Sequence, residues 1–412
     1  MITKDEIIEI TETLKKNKSR TLLTAFGVFW GIFMLLLLLG SGDGLEKGVT
    51  NMFKGFDINS FHIYSDKTKI PYKGVKDNRK IRITNEDLDI IKKKFKKNIK
   101  YIGARSYTYN ATLVQNNRQN EKYEIYGVES DIFYIRNVKL NAGRYINKLD
   151  NNRSRLVAVI GSKVKKELYN NKNTIGKFIQ INNSFYKIIG VFKSLKEGEE
   201  ANEQNKTIII PHTSFQKNFN RKNTMDNIGI VATNNKTERQ ILSFLKERHK
   251  VHPDDEAIYT WNTREEFSKY TGLFKAIRMF MWIIGIGTLL SGIVGVSNIM
   301  VINIKERTKE IGIRKAIGAK PFSIIKMIIL ESVFLTSISG YLGLSFGLLL
   351  IEGVNYSLNL FDLKSGFFLN PEINLFVVIS AILTLLLSGF FAAYLPAKKA
   401  AMIRPIEALR EN

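Results

Sequence analysis

Four stretches of this chain carry no charged residue over lengths that match a lipid bilayer: Thr21–Gly42, Met279–Ile304, Ser332–Ile351 and Ile373–Ala397. A helix rises about 1.5 Å per residue, so each stretch reaches across a hydrocarbon core of about 30 Å. A buried helix of a water-soluble core rarely runs so far without a charge. The four runs therefore predict four membrane helices. The first is too long for the apolar part of a signal peptide, and Gly40-Ser41-Gly42 leads into Asp43 without a small-residue cleavage site. It reads as an uncleaved anchor.

Basic residues set the expected orientation. Lys4, Lys15, Lys16, Lys18 and Arg20 precede the first span, and Lys305, Arg307, Lys309, Arg314, Lys315, Lys320 and Lys326 lie between the second and third. Lys398, Lys399, Arg404 and Arg410 follow the fourth, whereas residues 352–372 hold only Lys364. Short loops rich in Lys and Arg stay in the cytoplasm. The fold expected is an integral membrane protein with a large α+β extracytoplasmic domain inserted between its first and second membrane helices. Residues 1–20 are a cytoplasmic amphipathic helix, 21–42 the first span and 43–278 the outer domain. Next come 279–304 (second span), 305–326 (cytoplasmic coupling helix and loop), 327–351 (third span) and 352–372 (short outer loop). Residues 373–397 are the fourth span and 398–412 a cytoplasmic tail. The expectation is a multi-pass protein of the inner, cytoplasmic membrane with both termini inside.

Composition narrows the chemistry. The chain lacks cysteine, which excludes disulfides, thiolate metal sites and a cysteine nucleophile, and its four histidines leave little for a zinc enzyme. Residues 43–278 carry 45 basic against 26 acidic side chains. Outside the cytoplasm that surplus suits anionic lipid, polysaccharide or an acidic partner, not nucleic acid. Alternating apolar patterns place strands at 58–64, 107–114 and 122–128, with a further strand at 155–160 before a helix at 163–169. A hairpin at 178–192 turns at Asn182-Asn183. Residues 206–210 read as a strand, 87–95 and 238–248 as helices, and 116–120, 196–206 and 217–223 as exposed loops. Within residues 43–278, G-x-S-x-G and H-E-x-x-H are both absent. His249 and His252 read as loop residues, and Asp254, Asp255 and Glu256 as a solvated acidic run. No enzyme, cofactor site or metal site is expected.

Thr263 and Glu266 have capping-box spacing, and the helix they open runs on without a breaker to the end of the second span. Its apolar residues Phe267, Tyr270, Phe274 and Ile277 recur at helical spacing, as do Leu45, Val49, Met52 and Phe56 beyond the first span. Two such seams predict a paired helical stalk at 43–56 and 264–278. Small residues recur within the spans: Gly27 and Gly31 in the first, Gly287, Ser291 and Gly295 in the second, Gly343 and Gly347 in the third. Such stripes let helix backbones approach in lipid and favour a tight bundle or dimer. Glu331, just inside the third span, is expected to pair with a lysine or snorkel.

The sharpest signal lies between the second and third spans, Lys305–Lys320. Glu306 and Lys309, and Glu310 and Arg314, have the spacing of helical ion pairs. Ile311, Ile313 and Ile317, flanked by Gly312 and Gly318, form an apolar set without lipid to bury it. A short charged helix with exposed isoleucines suits docking to a cytoplasmic protein.

The segment Ser297–Gly347, with ERTKEIGIRKAIGA at Glu306–Ala319 and Glu331 beyond it, resembles the MacB/FtsX-like permease family of ABC transporters. So do Pro396-Ala397-Lys398-Lys399-Ala400-Ala401, the following Pro405–Arg410, and Gly143–Phe192 of the outer domain. The resemblance implies four spans, a permease dimer with itself or a relative, and a coupling helix. In that helix Glu306, Arg307, Glu310, Ile311, Gly312, Ile313, Arg314, Lys315, Ile317 and Gly318 would engage an ABC ATPase. No G-x-x-x-x-G-K-[ST] occurs in these 412 residues. ATP and Mg²⁺ would then be bound by the ATPase, expected as a separate cytoplasmic subunit. The function implied is transmission of ATP-driven motion to the outer domain, for export or efflux with a periplasmic adaptor and an outer-membrane channel. The alternatives are signalling to a cell-wall hydrolase or sensor partner, and lipoprotein extraction.

Overall fold

The computed structural model describes residues 18–109, 112–116, 119–136, 138–170, 172–221, 223–234, 236–360 and 368–405. The amphipathic helix expected over residues 1–20 lies outside them up to residue 17, as do 406–410 of the C-terminal motif. The chain forms two compact units. Among the described residues one comprises 18–47, 273–360 and 368–405, the other those within 48–272.

Among the described residues the helices are α1 (Lys18–Phe53), α2 (Asn85–Lys94), α3 (Ile132–Ile135), α4 (Lys148–Asn152), α5 (Ser162–Tyr169), α6 (Gly198–Asn205), α7 (His212–Asn218), α8 (Lys236–Arg248), α9 (Thr263–Glu306), α10 (Thr308–Ala316), α11 (Pro321–Leu360) and α12 (Leu375–Met402). The strands are β1 (Ser60–Ser65), β2 (Ile83–Thr84), β3 (Ile99–Tyr107), β4 (Thr112–Asn116), β5 (Gln119–Val128), β6 (Lys139–Gly143), β7 (Val157–Gly161), β8 (Phe178–Ile181), β9 (Ser184–Lys193), β10 (Thr207–Pro211), β11 (Thr224–Met225), β12 (Asn227–Ala232) and β13 (Ile258–Asn262).

Helices α1, α9, α11 and α12 are long and apolar enough to cross a membrane. Helices α1, α9 and α11 outrun the uncharged stretches at both ends and α12 at its C-terminal end; α9, with 44 residues, measures about 66 Å. In the first unit, Val28, Ile32, Leu35 and Leu36 of α1 share a buried core with Leu289, Val296 and Met300 of α9, Leu335 of α11 and Leu385 of α12. Gly27 lies against Gly292, Gly31 against Leu289, and Gly347 against Leu36; a methyl at Gly343 would overlap the Phe29 carbonyl. Gly287 and Gly295 differ from this, since among the described residues nothing stands within 4 Å of where their side chains would begin. In α9 it is Gly285 and Gly292 that admit α1. Among the described residues the Gly287-Ser291-Gly295 face is left open.

The second unit contains an 11-stranded sheet, whose two parts join where β3 pairs with β5, and a two-stranded sheet of β2 and β11. In chain order β1, α2, β3, β12, α8 and β13 make a split βαβ arrangement with sheet order β3-β12-β1-β13, antiparallel throughout. Its helices cover one face, burying Leu88, Ile91, Ile241 and Leu245 on Ile63, Ile228 and Ile230. The chain between β3 and β12 builds a second body. There β5 pairs with β10, β10 with β7, β7 with β9, β9 with β8, β8 with β4, and β4 with β5, so the strands close into a ring. Closure leaves no edge for stray pairing. Ile125, Ile160, Ile179, Tyr186, Ile210 and Phe215 belong to its buried core.

Several local expectations change. The strand expected over 107–114 is the end of β3 and the start of β4. Residues 196–206, expected as a loop, contain α6. Asn262, not Thr263, caps α9: its Oδ1 accepts from the backbone N–H of Arg264 (3.0 Å) and Glu265 (3.3 Å), while the Thr263 hydroxyl is buried against Ser60 Oγ at 2.9 Å. Asp255 is not solvated, since it is 1% exposed and accepts backbone N–H bonds from Lys69, Ile70 and Ala257. His249 is more than a loop residue, with Nε2 3.0 Å from Asp87 Oδ2.

Asp87 joins the two helices of the split βαβ body. It completes a capping box with Thr84 at the start of α2 and takes Arg248 Nε at 2.7 Å from the end of α8. Burial raises its pKa, but bonds from His249, Thr84 and Arg248 outweigh burial and hold it well below the usual carboxylate range. A depressed pKa stabilises the fold above the unfolded value, and that contribution fades as pH falls toward the folded one. Asp87→Asn is therefore expected to destabilise this unit by about 2 kcal/mol at neutral pH. In calorimetric unfolding of the full chain, the gap to wild type should shrink as pH drops below about 4. A gap constant with pH would contradict this role.

Candidate functional site

Helix α9 ends at Glu306, and the next helix begins at Thr308. Arg307 between them has φ −100° and ψ 11°, which breaks the run and turns the chain. Glu306 and Lys309 are thus not on one helix. The Arg307 guanidinium grips Glu310 in a two-pronged pair, Nε–Oε2 at 3.0 Å and Nη2–Oε1 at 3.1 Å. Its Nη1 reaches Glu331 of α11 at 3.3 Å. Glu331 is 3% exposed. Its partner Arg307 comes from the neighbouring helix break, a pairing not expected from the sequence. Charge-assisted forks of this kind fix geometry as well as energy.

The rest of α10 is anchored on one side. Glu310 also meets Arg314 Nη2 at 2.9 Å, and Arg314 Nη1 lies 3.0 Å from Met327 Sδ. Lys315 Nζ donates to the carbonyls of Ala401 (2.8 Å) and Ile403 (2.6 Å) at the end of α12, where a cation suits the helix terminus. Ile311 is buried with Ile324, Ile328, Ala393, Ala397 and Ala400. The isoleucines expected as one exposed set therefore divide. Ile311 and Gly312 face inward, whereas Ile313 is 45% and Ile317 82% exposed. Gly318, with φ +103°, ends the segment in a conformation that favours glycine. Phe322, 75% exposed at the start of α11, adds a further apolar side chain that the sequence reading left out.

The stalk residues are distributed differently from the apolar pattern. In the first unit Glu46 pairs with Arg278, Met281 lies against Gly42, and Phe274 is buried. Phe274 and Ile277 line a cavity there with Leu39 and Glu46. In the second unit Phe53 packs on Phe267 (centroids 5.5 Å apart) and Tyr270 (5.7 Å). The α1 residues that meet α9 are thus Gly42 and Glu46 in the first unit and Phe53 in the second. Leu45 is 41% exposed, and Phe56 lies beyond the helix end against Trp261 and His62. On α9 Phe267, Tyr270 and Phe274 make the contacts that the spacing gives them, whereas on α1 an ion pair at Glu46 and a glycine at Gly42 take positions that an apolar pattern leaves out.

Residues 21–244 match the MacB-like periplasmic core domain, and residues 282–405 match the FtsX-like permease C-terminal domain. The macrolide export ATP-binding/permease protein MacB of Bdellovibrio bacteriovorus is 27% identical over 97% of this chain and 60% of its own length. That of Haemophilus ducreyi is 28% identical over 95% of this chain and 54% of its own. The chain thus spans little more than half the length of these relatives. Among solved structures, the periplasmic region of MacB from Actinobacillus actinomycetemcomitans aligns with a TM-score of 0.43 at 16% identity, over 52% of this chain and 94% of that one. The extracellular domain of the transporter YknZ aligns with a TM-score of 0.40 at 15% identity, over 49% of this chain and all of that one. With the first profile covering more than half its residues and the second falling on α9 to α12, the chain belongs to the MacB/FtsX-like permease family of ABC transporters.

Proposed function

We propose that the chain is the permease component of an ABC exporter, lying in the inner membrane with both termini and α10 in the cytoplasm. ATP and Mg²⁺ would be bound by a separate ATPase subunit seated on α10. ATP-driven closure of that subunit would push α10, and movement of α9 and α1 would pass the push to the periplasmic-type unit. Cargo would be expelled from outside the bilayer core, with an adaptor and an outer-membrane channel completing the route. A second permease copy would complete the membrane part, and the open Gly287-Ser291-Gly295 face of α9 suits close helix contact in lipid.

One observation carries this reading. Helix α10 is held on its inner side by Ile311, Lys315 and Arg307, yet presents Ile313, Ile317 and the nearby Phe322 outward. A rigidly backed helix with exposed apolar knobs can take a load from a partner and deliver it to its own bundle. Export is carried over from the relatives named as macrolide exporters.

Exposed positions separate docking from folding. Ile313→Asp with Ile317→Asp should leave expression and membrane insertion unchanged, yet weaken co-purification with the ATPase at least tenfold, the scale of an interface hot spot. Ile311→Asp should instead destabilise the bundle, since it buries a charge among Ile324, Ile328 and Ala397. Normal ATPase capture by the double variant would refute the docking site.

Orientation is checked separately, on a background without native cysteine. In cells with a permeabilised outer membrane, an impermeant thiol reagent should label Asn183→Cys and spare Ala319→Cys. Labelling of the second would invert the topology.

A further inference from the structure

A cavity of about 450 Å³ lies within the second unit, between the turn after α1 and the ring of strands. It is the size of a small-molecule site. Six cationic side chains line it against three carboxylates, Glu124, Glu200 and Glu203. Two of those carboxylates are engaged, Glu124 by the Tyr126 hydroxyl at 2.7 Å and Glu200 by Lys196 at 2.7 Å.

The cations that matter are Arg105 on β3 and Arg136 just after α3. Both are partly buried. Among the described residues neither meets a carboxylate. Arg136 lies over the Phe56 ring at 4.7 Å and Arg105 over the Tyr126 ring at 4.3 Å. A ring face offsets only part of what a carboxylate would. Burial and the like charge of Arg105 push Arg136 down to about 9. The same field reaches His62 on β1, separated from β3 by β12. That ring is 1% exposed, makes no hydrogen bond through either nitrogen among the described residues, and is held neutral, down to about 3, by burial and then by Arg136 and Arg105. Two partly buried guanidiniums without a counter-charge are costly, and such groups are seldom retained without a charge to meet.

We propose that this cavity binds a small anionic ligand, with Arg105 and Arg136 seating a carboxylate or phosphate head. The walls fix the rest of the ligand's chemistry. Phe56, Phe133, Val128 and Ile209 line the same space and suit an aromatic or aliphatic body. Planar guanidiniums match the paired oxygens of such heads. The occupant would touch Phe56, three residues past the end of α1, so binding would bear on the segment leading from that helix. The site does not depend on how the chain meets its ATPase, and binding is read without one.

Phenyl phosphate is a suitable probe, because it combines the head with an aromatic body and partitions poorly into lipid. Calorimetric titration of the full chain in neutral lipid nanodiscs should show saturable binding. Arg105→Gln with Arg136→Gln should weaken it about tenfold or more, the loss expected for charge-assisted bonds. The exposed pair Lys93→Gln with Lys96→Gln changes net charge equally and should leave binding unaltered. The arginine variant should also keep or raise the Tm of this unit, since it removes uncompensated charge. No saturable binding to the wild type, equal binding of phenol, unchanged affinity in the arginine variant, or a lowered Tm each overturns the proposal.

Discussion

Hydrocarbon offers no hydrogen bonds, so a backbone that enters it must satisfy its own N–H and C=O groups. The requirement forces α1, α9, α11 and α12 into unbroken helices and pushes every turn between them toward the ends. It also decides where ionic side chains can act. The Arg307 guanidinium sits at such a turn, where the backbone has already left the helix, and from there it engages Glu310 on one side and Glu331 on the other. A carboxylate as buried as Glu331 would be costly alone. Beside Arg307 it becomes the tie that seats α10 on the third membrane helix.

Membrane spans were legible because absence of charge over some 20 residues is a strong signal that packing cannot mimic. The α+β unit was legible only in part. The β8–β9 hairpin announced itself through Asn182, whose φ of 51° few residues tolerate. Strand β12 did not, because Asn227–Val231 is buried on both faces and shows no alternation. Losing β12 and β13 hid the split βαβ body, whose halves are separated in sequence by the whole ring of strands.

The same distinction between local and distant signals governs the candidate site. Helix α10 was visible in its own sequence, since charges and isoleucines at close spacing suffice to mark it. Which isoleucine faces inward was not, because Ile311 is covered by Ala393, Ala397 and Ala400, residues far along the chain. The Arg307–Glu331 pair bridges two helices and has no spacing rule. The α1 side of the stalk seam was hidden for another reason. A pattern of apolar residues cannot represent the Glu46–Arg278 pair or the approach that Gly42 allows.

In the proposed function α10 is the surface that receives force from an ATPase. The most direct test of that role is a photo-crosslinking residue placed at Ile317, the most exposed of the three isoleucines, in membranes that contain the native ATPase. Irradiation should join the permease to an ATP-binding polypeptide, and the same residue at Asn183 should not. A crosslink at Ile317 confined to lipid or to the permease itself, under conditions where the ATPase is present and active, would contradict the account.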